Sequence, residues 1–448
     1  MNGHQNVQHL DRVLDLLTSL GVQGEAYLED SRRTKISVSG GKVETLEERR
    51  DFGLGLRVFV SGGAGFSFTT DLGHESVKST ITMAREIAEH MGPDPAWRLS
   101  EPVPIDPLPF PNEDGAADST DISRRTEIAA AMERQARATD PRVEKIRESA
   151  YRDAWGQVWI ANTAGLSATH SYSRSVGYLE VTASEGGTPQ VGFHAEFGLG
   201  PDDLDPVEIG RAAARKALDK LGAEPARTGR VPAVLGREVV AGLLEALSPA
   251  FSAGRVIKKT SILAGRQDDR LASKVVHLVD DPRLPGGFGS TPADGEGLCT
   301  HRVSLIEEGR LVGYLHDTFS AAKMHGASGN SVRTSYRIRP RIGPMNLLLL
   351  PGDDPLEALL ERAGDGVYVT EVLGLHTVDP ISGDFSLGAA GRRIEKGRLG
   401  GPLDRMALSG NMLELLGAVE VVGSDLELFP GGGGAPSVLL RELSVAGS

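Results

Sequence analysis

The chain holds eleven histidines and a single cysteine, Cys299, the side chains best suited to gripping a transition metal. A helix-borne metal site commonly uses two histidines one turn apart, because residues three or four apart project from one face and can share a tetrahedral ion. The histidines are His4, His9, His74, His90, His170, His194, His277, His301, His316, His325 and His376, and no two have that spacing. By itself the chain is not expected to work as a metal-dependent hydrolase. One local arrangement stands against this. The segment Cys299 to His316 reads as a hairpin about Glu308-Gly309. With Glu307 facing Arg310, His301 lies opposite His316, and Cys299 shares the face of His301. Cys299, His301 and His316 are then three candidate metal ligands, or else ordinary strand residues.

Other chemistries find less support. There is no Gly-x-Ser-x-Gly elbow, and Cys299 does not open a helix that could activate its thiol. Ser61-Gly-Gly-Ala-Gly joins two predicted strands, while Gly286-Gly-Phe-Gly and Gly431-Gly-Gly-Gly lack the Lys-Ser/Thr of a phosphate loop. The net charge of -13 disfavours an electrostatic grip on nucleic acid or an anionic membrane. A lone cysteine excludes an intrachain disulfide framework. Met1 to Leu20 is too polar for a signal peptide, and no apolar run approaches the roughly 18 residues of a membrane span. A cytoplasmic protein is expected, with neither nucleic acid nor membrane as partner.

The elements that must position these residues suggest an α+β fold: an N-terminal antiparallel sheet with helices, then a β-rich C-terminal domain with a few helices. Leu10, Val13, Leu14, Leu17 and Leu20 recur at helical spacing and Gly21 ends the run. Hairpins follow at Gly40-Gly41 and Ser61-Gly62, then a helix over about 75–90, closing a domain at 1–91. The proline-rich stretch 92–120 is a linker or surface excursion. A middle α+β region at 121–224 opens with a helix that Asp121 can cap. It continues in strands at 143–153, 157–161 and 167–184 and ends in a helix over 206–221. The C-terminal domain, 225–448, starts with a strand from Val231 and a helix over 237–247.

Several motifs in the C-terminal half then carry a resemblance. Ser290-Thr-Pro-Ala-Asp-Gly-Glu-Gly297, Ser328-Gly-Asn330, Val372-Leu-Gly-Leu-His-Thr-Val-Asp-Pro-Ile-Ser-Gly-Asp-Phe-Ser386, Ala407-Leu-Ser-Gly-Asn411 and Val422-Gly-Ser-Asp425 resemble, in order and spacing, the TldD/PmbA family. The resemblance implies a two-subunit zinc metallopeptidase that processes peptides and unstructured segments. Only its TldD-type subunit carries zinc, on a His-Glu-x-x-x-His helix with a cysteine near the C-terminus. Here those helix positions fall on Glu245-Ala-Leu-Ser-Pro-Ala250, so Glu245, Ala246 and Ala250 replace the three key residues, and no cysteine lies within 423–437. This is the TldE/PmbA pattern: a non-catalytic chain without cofactor, expected to pair with a zinc-bearing TldD-type subunit. A stand-alone self-dimer that binds peptides without cutting them is the alternative. The family's older label as a DNA gyrase modulator fits poorly with the acidic composition. Glycines near 374–391 suit tight turns, or else their loops face a peptide cleft with His376, Asp384 and Ser386 as the peptide-binding residues.

Overall fold

The structure, a computed structural model, describes residues 3–114 and 119–447. Helix α1 (Gly3–Ser19) leads into β1 (Gln23–Ser39), β2 (Lys42–Val60), β3 (Gly63–Thr69) and α2 (His74–His90). After the proline-rich stretch come α3 (Ile122–Thr139), β4 (Val143–Asn162), β5 (Ser167–Glu185), β6 (Thr188–Gly198) and α4 (Pro206–Leu218). These strands form one six-stranded sheet in the order β3-β2-β1-β4-β5-β6. The regions read in sequence as 1–91 and 121–224 therefore share a sheet, joined where β1 pairs with β4 from Glu25↔Asn162 to Val38↔Ser149.

Local chemistry explains much of this sheet. Gly40 and Gly41 both have positive φ, the backbone of the two-residue turn whose twist matches a hairpin. Asp121 caps α3 by accepting from the Ser123 N–H at 3.3 Å. Two strands expected at 143–153 and 157–161 are one, because β4 runs unbroken between β1 and β5. β6, which the alternation had not revealed, follows β5 through Gly186-Gly187. Residues 24–31 of β1 are buried on both faces, since helices cover one side of the sheet and the C-terminal region the other. Of the stretch 92–120, residues 115–118 lie outside the described residues. The rest lies across the surface, with Trp97 stacked on Phe319 at 4.1 Å and Asp94 paired with Lys323 at 2.6 Å.

The C-terminal region begins with β7 (Glu224–Pro225), β8 (Gly229–Leu235), α5 (Arg237–Leu247) and α6 (Ala253–Ile257). Next come β9 (Leu278–Asp280), β10 (Val303–Glu307), β11 (Arg310–Leu311), α7 (Thr318–Met324), β12 (Ser331–Val332), β13 (Arg341–Ile342) and β14 (Leu347–Leu349). The chain closes with α8 (Leu356–Ala363), β15 (Gly366–Leu373), β16 (Asp384–Glu395), β17 (Arg398–Asn411), α9 (Met412–Gly417), β18 (Val419–Val422), β19 (Glu427–Phe429), β20 (Gly433–Ala435) and β21 (Val438–Gly447). One sheet runs β18-β21-β8-β15-β16-β17-β7, and a further β17–β21 pairing closes five of its strands into a ring. Closure leaves those strands without a free edge. A second sheet, β11-β10-β9-β14-β20-β19, packs with α5 over a shared core that includes Leu243, Leu247, Leu278, Leu305, Leu347 and Leu440. The chain is α+β. Among the described residues no helix is long and apolar enough to cross a membrane.

Candidate functional site

Helix α5 and the turn that follows it carry the positions singled out at 245–250, and their surroundings define a first candidate site. Its apolar face, Val239, Val240, Leu243, Leu244 and Leu247, is buried. The helix stops at Leu247 and passes into a 3₁₀ turn over Ser248–Phe251, because Pro249 has no N–H to donate. Two segments pack on it one turn before Glu245. A Cβ on Gly242 would lie 2.8 Å from Leu375, and one on Gly433 of β20 would lie 3.9 Å from Ala241. The fold thus brings the motif helix, the turn holding His376 and the C-terminal glycine strand together. Glu245 is exposed, Ala246 half-buried and Ala250 completely buried in the core.

His376, Asp384 and Ser386 gather at one exposed corner beside this helix. His376 sits in the 3₁₀ turn Leu375–Thr377. Thr377 Oγ1 donates to the Ser386 carbonyl at 3.1 Å, and the Asp379 N–H donates to the Asp384 carbonyl at 3.0 Å, folding the turn onto the start of β16. Asp384 has a local task as well. Asn411 Nδ2 donates to its Oδ1 at 2.9 Å, and this bond, with that from Ser382, holds the carboxyl below its usual range. Leu373 and Ile381, 62% and 54% exposed, flank the corner.

The structure does not assemble Cys299, His301 and His316 as a cross-strand set. The hairpin forms as read, with Glu307 opposite Arg310, but the ladder ends at Ile306↔Leu311. The Leu305 carbonyl then accepts from both Val312 and Gly313, a bulge that breaks the register. Beyond it the chain turns away, and the Leu315 N–H donates to the Phe251 carbonyl at 3.0 Å. Cys299 pairs with Ala293 instead, and burial lowers the pKa of the His316 imidazole. Among the described residues no group of three His, Cys, Asp or Glu side chains could hold a metal ion.

Two features escaped the sequence reading. The first is a buried seam where the far face of the six-stranded sheet meets residues 294–337. Arg57 donates to Glu25 and to Glu296, each at 2.6 Å, and Arg333 donates to the other Glu25 oxygen. Burial works to raise the pKa of Glu25, but Arg57 and Arg333 together hold it below the ordinary value. Glu296 Oε2 also accepts from the Thr318 N–H and hydroxyl at 2.8 Å. Asp294 accepts from the backbone of Glu296, Leu298 and Ser331, and Asp280 from Met345, Asn346 and the Asn330 amide. Burial raises the Asp294 carboxyl, helped by the charge of Glu296, and pushes Asp280 up to about 6. Tyr336 lies wholly buried against Gly53, where a Cβ would come within 2.2 Å of its ring. The motif at 290–297 is thus spent on docking, while Asn330 of the motif at 328–330 braces Asp280 and the His316 N–H inside the C-terminal region. Partners separated by 239 positions, as Arg57 and Glu296 are, leave no local signal.

The second feature is a cleft of about 770 Å³ between β6 and α4 on one side and α5, β15 and β19 on the other. Lys216 pairs with Glu238, and Lys220 with Glu371, across it.

Comparison with known proteins places this architecture. Models of the PmbA/TldA metallopeptidase match the chain in three consecutive parts: domain 1 over residues 24–88, the central domain over 116–221 and the C-terminal domain over 228–447. The chain belongs to the PmbA/TldD metallopeptidase family. Metalloprotease PmbA of Escherichia coli O157:H7 is 29% identical over 436 residues, covering 95% of this chain and 93% of that protein. The crystal structure of TldE from Thermococcus kodakarensis is 25% identical, with a TM-score of 0.89 over 98% of this chain and 100% of that one. A Thermotoga maritima protein described as a modulator of a DNA gyrase is 27% identical, with a TM-score of 0.90 over 98% and 99% of the two chains. The resemblance puts zinc, in TldD-type members only, on the positions that fall here at 245–250. The residues present do not fit it: two alanine methyl groups offer no lone pair, and position 250 lies inside the core.

Proposed function

We propose that this chain is a TldE/PmbA-type subunit that does not itself cut peptides. It pairs in the cytoplasm with a zinc-bearing TldD-type chain to form a metallopeptidase acting on peptides and unstructured segments. The observation that carries this reading is the motif helix: Glu245, Ala246 and Ala250 supply one exposed carboxylate and no imidazole, and the helix ends before Pro249. In this reading the exposed corner of His376, Asp384 and Ser386 faces the partner's peptide cleft, where main-chain groups at the start of β16 and the His376 ring help hold an extended substrate.

Co-expression with a TldD-type chain, purification of the pair and a peptide-cleavage assay test the proposal. Cleavage is expected from the pair and not from this chain alone. A partner equally active without this chain, or a self-dimer that never exchanges with it, would overturn the reading.

A further inference from the structure

The six-stranded sheet repeats one plan. Helix α1, strands β1 to β3 and α2 form one half; α3, β4 to β6 and α4 form the other, with β1 and β4 antiparallel at the centre. On the helical face, α1 and α2 pack over Ala26, Leu28, Leu54 and Leu56, and α3 and α4 over Val38, Tyr151 and Leu179. Where the halves meet, the floor between these two apolar clusters is polar. Arg32 of β1 lies directly opposite Arg50 of β2 and Trp155 of β4, and Thr34 lies opposite Glu48 and Asp153. Residues paired in this way share one face of the sheet. Arg125 reaches the same floor from α3, pairing with Asp153 at 2.7 Å.

A cavity of about 270 Å³ opens there, lined by five arginines, Arg32, Arg33, Arg49, Arg50 and Arg125, against two carboxylates, Glu48 and Asp153. In a chain of net charge -13 this local excess of cation runs against the rest of the molecule. Like charges facing each other across paired strands are destabilising, so Arg32 opposite Arg50 is an unfavourable arrangement for a surface that needs only to be solvated. The guanidinium groups are also oriented in advance. Arg50 donates through Nε and Nη2 to Asp30 at 3.0 and 2.8 Å, and the Arg125 side chain is 8% exposed against Asp153. A guanidinium has five N–H donors and a bidentate carboxylate takes two, so an arginine fixed in this way can still address an oxyanion. Half-buried Trp155 adds an aromatic wall to the same cavity.

We infer that this pocket binds a small phosphate ester, with Arg32, Arg50 and Arg125 donating to the phosphate oxygens and Trp155 stacking on an attached planar group. The class follows from the donors, because the planar fork of arginine matches phosphate oxygens in pairs and stacks on aromatic faces. Size agrees: the volume lies just below the roughly 300–1,000 Å³ usual for ligand pockets, which suits a phosphate carrying one small ring. The site lies on the helical face of the sheet, the side turned away from the C-terminal region, and so apart from the corner of His376, Asp384 and Ser386. It needs neither a metal nor a second subunit.

The test uses the full chain purified without any TldD-type protein, in a phosphate-free buffer with a metal chelator. Phenyl phosphate, inorganic phosphate and benzoate are titrated by calorimetry at constant ionic strength. Saturable binding of phenyl phosphate at a single site is expected, with inorganic phosphate and benzoate each weaker by about tenfold. Arg32→Gln, at an exposed position, should weaken both phosphates about tenfold while the melting temperature of the unliganded chain stays level or rises, since the facing like charges are gone. Arg32→Lys keeps the charge without the fork and should fall between. Arg85→Gln, at a half-exposed arginine on α2, should leave binding unchanged. Trp155→Leu should bring phenyl phosphate down to the affinity of inorganic phosphate and leave the latter alone. No saturable binding by the wild-type chain, equal losses in Arg32→Gln and Arg85→Gln, or benzoate binding as tightly as phenyl phosphate would each overturn the inference. Because no partner is present, such a failure is separate from any failure of cleavage by the two-subunit complex.

Discussion

The six-stranded sheet meets the C-terminal region in two places, and they are built in opposite ways. At the seam, Glu25, Arg57, Glu296 and Arg333 are stripped of water and paired with one another, with Tyr336 packed against Gly53 beside them. At the cleft the two sides stand apart, and the bridging pairs, Lys216 with Glu238 and Lys220 with Glu371, have partly exposed members. Separating the seam would break three close ion pairs at once and expose the wholly buried Tyr336, whereas widening the cleft breaks pairs that already face solvent in part. The seam is the fixed joint and the cleft the compliant one.

The comparison is broken most directly at the seam. Glu296→Ala leaves Arg57 with Glu25 alone, so that one buried positive charge is uncompensated, and removes the acceptor for Thr318; a loss of about 3–5 kcal/mol is expected by denaturant titration. A loss below about 1 kcal/mol would mean that the seam is not the fixed joint. Changing pH gives a smaller and graded effect. The unfolded chain ionises aspartate at roughly pH 3.9, while Asp280 and Asp294 keep their protons to higher pH in the folded chain. The folded state then binds more protons across that window, so these groups make stability fall as pH rises from about 4 toward neutrality. Asp280→Asn or Asp294→Asn should remove part of that slope, by no more than about 1.4 kcal/mol per pH unit for each group. Melting curves at pH 4 to 8 that are parallel for variant and wild type would refute it. The smallest effect belongs to the cleft. Lys216→Ala breaks a half-exposed pair with Glu238 and should cost about 0.2–1 kcal/mol, less still at high salt. A seam-sized loss there would erase the distinction between the two contacts.

Much of the fold was legible in the sequence wherever the signal was local. The helical spacing of Leu10, Val13 and Leu17, the cap at Asp121 and the turn at Glu308-Gly309 each depend on residues a few positions apart, and each appears as read. The hairpin also shows where such reading ends. Its turn fixed Glu307 opposite Arg310, but the bulge at Leu305 comes from where Leu315 docks on Phe251, so His301 and His316 never came to face each other. β6 was missed because its half-buried side chains line a cleft and a helix at once and do not alternate cleanly. At the candidate site, the residues at 245–250 could be read directly, and the convergence of α5 with Leu375 and Gly433 could not.

The sequence by itself determined the α+β composition, the turns and caps, and the absence of histidine from positions 245–250, because these follow from the residue present or from neighbours within one turn. Only the tertiary structure decided that Arg57 and Glu296 neutralise each other, that β17 reaches β21 to close the ring, and that the edge of β6 opens on a cavity. The physical reason is range. Helical period and turn geometry act over a few residues, whereas burial of charge and strand pairing join positions whose separation in sequence sets no preference until the chain has folded around them.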